Sequence, residues 1–405
     1  MRPEEEEWYI GIELGNEWTM VSCYGAGMKE PETKGLVTGS QSYRIPTAIC
    51  KKPGISQWYL SEKPEGLYIE RLLERAIAKE VIEAEETYEA RELFFVFLRK
   101  VMRMVLPGQG IDVVTKCVFS VEQVDREVSE LLLEGSNVLG MKPEQVVIQD
   151  NRESFYAYAV SREPELWLYE VALFSCENQK VTYWELNHDK KTAPQVSKVI
   201  EQQLGELPEE CSERDRAFSK MIQKTLSGRI FSSVYLIGDG FEGGWMKESL
   251  QMVCRGRRAF QGKNLYTKGA CYAGVIEAHP EKRETVYSCN YKTRKNIFLR
   301  VSDKEREYMY SLVEAGQNRY QVQKTCSILL EGEPTLDVWI QSPGKKEAII
   351  ESLELPGLEP AEGKGCRLEL KIKGNVQEGL QLTVRDIGLG ELLPGSNQEW
   401  EYEIG

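Results

Sequence analysis

The sequence contains only two histidines, His188 and His279, both in polar, loop-like stretches. With so little imidazole, zinc centres and histidine-based acid–base machinery have almost no raw material, and no metal site is expected. Its ten cysteines include no Cys-x-x-Cys pair, and several lie in apolar stretches where a small hydrophobe would serve. That usage points to free thiols in a reducing compartment. No run of about 18 apolar residues occurs, and the opening MRPEEEEWYI lacks the basic segment and apolar core of a secretory signal. A cytoplasmic protein with no membrane partner is expected. Positive charge is also scarce in clusters: the formal net charge is −13, and the one basic run, Arg255-Gly256-Arg257-Arg258, is short enough to be a solvated loop. Such a surface repels a phosphate backbone, which excludes nucleic acid as a partner.

What is present is an ordinary globular balance, 41% hydrophobic and 28% charged over 405 residues, enough for two or three cores. Residues 8–24, WYIGIELGNEWTMVSCY, are two apolar runs around Gly15-Asn16-Glu17 and read as a β-hairpin. A glycine at the bend would permit positive φ and leave turn amides uncovered for a phosphate, with the Glu13 carboxylate near enough to hold a cation's water. An ordinary opening hairpin is the plainer reading of the same residues. Helical spacing joins Leu67, Leu72, Leu73 and Ile77, and a longer helix is expected over 88–106, ending before Pro107. Strands at 113–120 and 146–149, each followed by a helix (121–140, 150–160), give the α/β alternation. A second hairpin (166–175 and 180–186) and a polar run lead to a helix capped by Ser212, followed by a strand at 233–237, the glycine-rich turn 238–244, and helices at 245–253 and 266–278. Beyond His279 short alternating segments dominate, as at 297–301, 321–330, 336–341, 366–373 and 380–385. These predict an α/β domain over 1–280 and a β-sandwich over 285–405.

Three stretches stand in order, IGIELGNEW, VVTKCVFSVEQVDREVSELLLEGSNVLG and VYLIGDGFEGGWMKESL. The order resembles the actin-like ATPase superfamily, most closely its DnaK-type heat-shock chaperones. In that resemblance the first hairpin is the first phosphate loop, VVIQDNRESFYAYA is similar to the connecting segment, residues 238–244 fall at the adenosine loop, and LYTKGACYAG looks like the closing helix. Residues 353–374 and 380–391, including the turn Asp386 to Glu391, are similar to the chaperones' substrate-binding β-sandwich. The resemblance implies a two-lobed nucleotide-binding domain of ribonuclease H-like halves and ATP or ADP with Mg²⁺ as cofactor. It also implies Glu13 and Asp150 as catalytic carboxylates, and Gly15, Asn16, Gly238, Asp239, Gly240, Phe241 and Gly243 as cofactor-binding residues, with Phe241 offering its face to a purine. The implied partner is a protein or extended peptide segment.

The departures fall on the chemistry. Glu13 replaces the family's aspartate, Asn16-Glu17 replace its paired hydroxyls, and Asp150-Asn151 replace its Glu-Pro. The second phosphate hairpin, an aspartate followed by glycines in the family, reads Phe174-Ser175-Cys176-Glu177-Asn178-Gln179 here. The linker after His279 is polar and basic instead of leucine-rich, and only five residues follow Trp400, so no helical lid is expected. Phosphoryl transfer rests on positioned charge, and single contacts of that kind are worth about 3 kcal/mol each. A binding or scaffold module with weak or no hydrolysis is therefore expected. A divergent ATPase using Glu13, Asp150 and Asp239, and an actin-like assembly component, remain open alternatives, and the sequence does not set the oligomeric state.

Overall fold

The computed structural model describes the chain except residues 1, 5, 38–41, 85, 107, 109, 192–193, 304–305, 359–364, 375–378, 391–392 and 405. It is a mixed α/β protein of two compact units, Met1–His188 with Ser197–Arg283, and Asp189–Val196 with Glu284–Gly405. The division after Arg283 coincides with the change from strand–helix alternation to short strands.

In the first unit, β1 (Trp8–Leu14) and β2 (Trp18–Gly25) form the expected antiparallel hairpin, and β3 (Glu32–Lys34) pairs with β2. Helices α1 (Leu72–Ile77) and α2 (Ala90–Arg103) follow, then β4 (Lys116–Val121), α3 (Arg126–Val138), β5 (Val146–Asp150) and α4 (Asn151–Val160). The sheet order is β5-β4-β1-β2-β3, with β1, β4 and β5 mutually parallel. From Tyr9 to Leu14, β1 is buried at every position, as a central strand covered on both faces must be. A second sheet is built from β6 (Glu170–Glu177), β7 (Lys180–Asp189), β8 (Gln195–Glu206), β9 (Phe231–Ile237) and β10 (Arg258–Gly262), in the order β10-β9-β6-β7-β8. Here too the first strand is central, its hairpin partner is antiparallel, and the two later strands are parallel. Helix α5 (Cys211–Leu226) precedes β9, α6 (Glu248–Cys254) lies between β9 and β10, and α7 (Leu265–Ala278) closes the unit.

The small-residue sequence of α7 has a packing cause. A Cβ on Gly269 would lie 2.0 Å from the carbonyl oxygen of Ser154 in α4, so only glycine permits the two helix backbones to touch. Around β6 and β9 the core is aromatic, with Phe174, Phe218, Phe241 and Trp245 in one cluster.

Boundaries differ from expectation where polar groups terminate elements. Leu67 belongs to a short strand, Leu67–Ile69, outside α1. Val121 ends β4, and Asp125, accepting from the Val128 N–H at 2.9 Å, caps α3. Ser212 lies inside α5, and Glu210 caps that helix through the Glu213 N–H at 2.7 Å. The polar run before it contains a 12-residue strand, β8, whose mostly exposed faces give no hydrophobic alternation. Trp245 precedes α6, and Pro107 lies outside the described residues.

The second unit holds β11 (Asn296–Asp303), β12 (Arg306–Val313), β13 (Gln323–Leu330), β14 (Thr335–Gln341), β15 (Ala348–Glu354), β16 (Cys366–Gly374), β17 (Leu380–Asp386) and β18 (Glu399–Ile404). They make two four-stranded sheets, β12-β11-β14-β15 and β13-β16-β17-β18, over one core containing Leu299, Val338, Leu368, Leu370, Leu382 and Val384. This is a β-sandwich. Strands β12, β15 and β18 had no sequence signal strong enough to be read. Asp386 ties its turn by accepting from the Gly388 and Ser396 N–H groups, at 3.1 and 2.7 Å; Glu391 lies outside the described residues. All ten cysteines are free, and among the described residues no helix is long and apolar enough to cross a membrane.

Candidate functional site

Two hairpin ends, β1–β2 and β6–β7, and the turn after β9 converge on the Arg44 side chain. Arg44 Nη2 approaches Glu177 Oε1 and Oε2 at 3.2 and 3.3 Å, and its Nη1 donates to Asp239. The guanidinium lies 4.7 Å over the Trp18 ring. One cation thus spans the end of β6 and the glycine turn while stacking on the first strand after the Gly15-Asn16-Glu17 loop.

Glu13, behind this group, is buried, and its Oε2 has no hydrogen-bond partner. Burial pushes its carboxyl up to about 8; the Arg44 charge and the Thr267 N–H pull it down, and the Glu177 charge adds to the rise. Near neutral pH Glu13 therefore carries a proton. Glu177 is raised as well, by burial first, then by Asp239 and Glu242 against the opposing Arg44. In register with Glu13 across β4 and β5 stand Ser120 and Gln149, both fully buried. Ser120 Oγ meets Ser154 Oγ at 2.6 Å and donates to Asn151 Oδ1 at 2.7 Å, while Gln149 Nε2 donates to Ser154 Oγ at 2.7 Å. This buried polar row was missed in the sequence, although a Ser and a Gln at the ends of apolar strands were visible signals.

The expected phosphate loops take other forms. Gly15 is absent from the positive-φ glycines; its N–H donates to Trp18 O at 3.1 Å, closing the loop, and Thr47 Oγ1 donates to Gly15 O at 2.7 Å. Asn16 is exposed, and Glu17 turns outward to Arg71 at 3.4 Å. The second loop is a two-residue turn in which Asn178 and Gln179 are both left-handed, with φ of 48° and 69°. That is the tightest hairpin connection, and Leu207 N–H occupies the Gln179 carbonyl at 2.8 Å.

The glycine turn is packed against that hairpin. Gly238 has φ of 95°, and a Cβ there would lie 2.4 Å from Cys176 O; one on Gly240 would lie 2.1 Å from Cys176 Sγ. Phe241 does not present an open face to a purine: it is fully buried, 4.9 Å from Phe218 and stacked with Trp245 at 6.3 Å. Gly243 is exposed, with φ of 84°. Asp150 is fully buried as the cap of α4, where Oδ1 accepts from the Glu153 N–H at 2.8 Å and Oδ2 from Arg152 Nε at 2.9 Å. Its carboxylate thus serves the helix rather than standing free to orient water. The structure brings Glu177 and Asp239 onto one guanidinium, leaves Glu13 under its electrostatic influence without a hydrogen bond to it, and sets Gly238 and Gly240 on Cys176.

Beside the first loop is a cavity of about 560 Å³ whose lining includes Leu14, Gly15 and Asn16 together with Glu74, Glu122 and Glu127, and, among the described residues, no lysine or arginine. Among the described residues no group of three or more His, Cys, Asp or Glu side chains is arranged to hold a metal. These groups do not fit a Mg²⁺–nucleotide: a polyphosphate would meet three carboxyl groups and a guanidinium already engaged by two of them.

The chain matches two described families. The family of unknown function DUF5716, C-terminal part, matches residues 30–290, more than half of the chain. A domain of unknown function, DUF8552, matches residues 292–405, the sandwich. No curated protein matches.

Proposed function

We propose that this chain, which belongs to the DUF5716 family, is an actin-like, DnaK-related protein that recognises other proteins or extended peptide segments and hydrolyses ATP weakly or not at all. The finer fold reading is supported by the repeated strand order, since β5-β4-β1-β2-β3 and β10-β9-β6-β7-β8 have the same placement of central, antiparallel and parallel strands. Two such halves, with α4 and α7 in backbone contact, are what ribonuclease H-like duplication would produce.

The observation that carries the functional reading is Arg44 bound to Glu177 and Asp239 across the place where two phosphate loops would face one another. An internal cation offsets part of the negative charge there, and with its Nη1 and Nη2 groups turned to Glu177 and Asp239 it is not free to receive a phosphate. Recognition then falls to the sandwich. Titration calorimetry with ATP and ADP, with and without Mg²⁺, followed by a phosphate-release assay, tests the reading. Little heat and no turnover are expected; sustained hydrolysis that Glu13→Ala abolishes would overturn it in favour of a divergent ATPase.

A further inference from the structure

Among the described residues, β15 pairs with β14 on one side and with no strand on the other, leaving it the edge of its sheet. The outward N–H and C=O groups of an edge strand are a template for another strand; on β15 the Glu354 carbonyl is already held by the Tyr402 hydroxyl. Two apolar rows run out to this edge. On one face Phe298, Trp339 and Ile350 stand side by side across β11, β14 and β15; on the other, Ile297, Ile340 and Ile349 do. Ile297 and Ile340 are buried, yet the rows end in Ile349 at 65% and Ile350 at 47% exposure. The next position, Glu351, is in register with the buried Val338, so it projects from the core-facing side of the strand, beyond the sandwich's cover. Glu354, also exposed, follows three residues later.

Charge decides the occupant. In a symmetric antiparallel dimer centred on β15, Glu351 would face its own copy, and like charges directly opposite one another are destabilising. The chain's net charge of −13 adds to that repulsion.

We propose that β15 receives an extended segment of a different protein, paired as an added strand, with two adjacent apolar residues against Ile349 and Ile350 and basic residues against Glu351 and Glu354. This inference rests on the reading of the sandwich as the recognition unit and names the edge and partner chemistry. Main-chain hydrogen bonds supply affinity, and the apolar-apolar-basic order supplies selectivity.

The test uses the full chain and two labelled heptapeptides, Lys-Val-Thr-Lys-Ile-Ile-Thr and the same sequence with glutamate in both lysine positions, read by fluorescence anisotropy and amide hydrogen exchange. The lysine peptide is expected to bind and to slow exchange within β15. Glu351→Lys should weaken it roughly fivefold and favour the glutamate peptide, the reversal expected when an opposite-charge cross-strand pair becomes a like-charge one. Binding that ignores peptide charge or the Glu351→Lys exchange, or no binding up to about 1 mM, would overturn the proposal. So would a concentration-dependent dimer lost in Ile350→Lys, which would assign the edge to a second copy. Because nucleotide titration reads the first unit, failure here with no ATP turnover there would refute the edge while leaving the pseudo-ATPase reading standing.

Discussion

Arg44 and Glu177, 133 positions apart in the chain, meet through two N–H···O contacts of 3.2 and 3.3 Å. The pair joins the segment after β3 to the end of β6, so it ties the first sheet's side of the site to the second sheet's. Glu177 and Asp239, each about half exposed, share the one guanidinium and repel one another without it. Arg44→Met is expected to destabilise the protein by about 1 kcal/mol, since partly solvated pairs are screened. Combined with Glu177→Gln in a double-mutant cycle by urea denaturation, a coupling of about 1 kcal/mol is expected. Strict additivity would show that the contact does not hold the site together.

Glu13 makes stability depend on pH in the direction opposite to an ion-paired carboxylate. Its folded pKa, about 8, lies above the ordinary 4.5, so between these values the folded state keeps a proton that the unfolded state has released. Stability contributed by this group is present below about pH 4.5 and lost as pH rises through 8. Glu13→Gln imitates the protonated form without the titration. The variant should match the parent in unfolding free energy near pH 4.5 and exceed it at pH 9, by a difference on the order of a few kcal/mol. A parent whose stability relative to Glu13→Gln stayed flat from pH 5 to 9 would show the carboxyl to be ionised throughout.

How far the chain could be read depended on the range over which each signal acts. Hairpin β1–β2 and helix α7 were legible because apolar runs and small-residue spacing are local and continuous. Strand β8 and the edge strands β12 and β15 were not, because residues exposed on both faces leave no period to detect. Arg44 gave no sign at all: its partners are 133 and 195 positions away, and a lone arginine in a polar loop has no pattern. At Asp150 and Phe241 the residue was noticed, and its surroundings favour a cap and a core position over the expected roles. An aspartate before a helix suits either a cap or a water-orienting acid, and an aromatic in a glycine turn suits either a core or a purine; exposure separates these readings, and the sequence does not contain it.

Phe241 permits a direct comparison of those two roles. Buried among Phe218 and Trp245, it should behave as a core residue. Phe241→Ala is expected to cost about 3 to 5 kcal/mol, and Phe241→Leu, which keeps most of the volume, far less. Denaturation monitored by tryptophan fluorescence, with Trp245 next to the substitution, gives both numbers. A Phe241→Ala protein of unchanged stability that lost a measurable adenosine affinity would restore the ligand role.

Asp150 separates capping from catalysis in the same way. One oxygen accepts from the Glu153 N–H at the start of α4, and the other accepts from Arg152, at zero exposure. Replacing the carboxylate with a carboxamide keeps an acceptor for the helix N–H but loses the charge that holds Arg152, whereas alanine loses both. Asp150→Asn should therefore cost about 1 kcal/mol, and Asp150→Ala roughly 2 to 4 kcal/mol, because a buried N–H is left without an acceptor. Hydrogen exchange provides the spatial readout: the first-turn amides of α4, Glu153 above all, should exchange faster in Asp150→Ala and remain protected in Asp150→Asn. A water-orienting acid would give the opposite pattern, with both variants folded and protected alike and both equally deficient in any phosphate release, since neither an amide nor a methyl group can accept the proton of an attacking water.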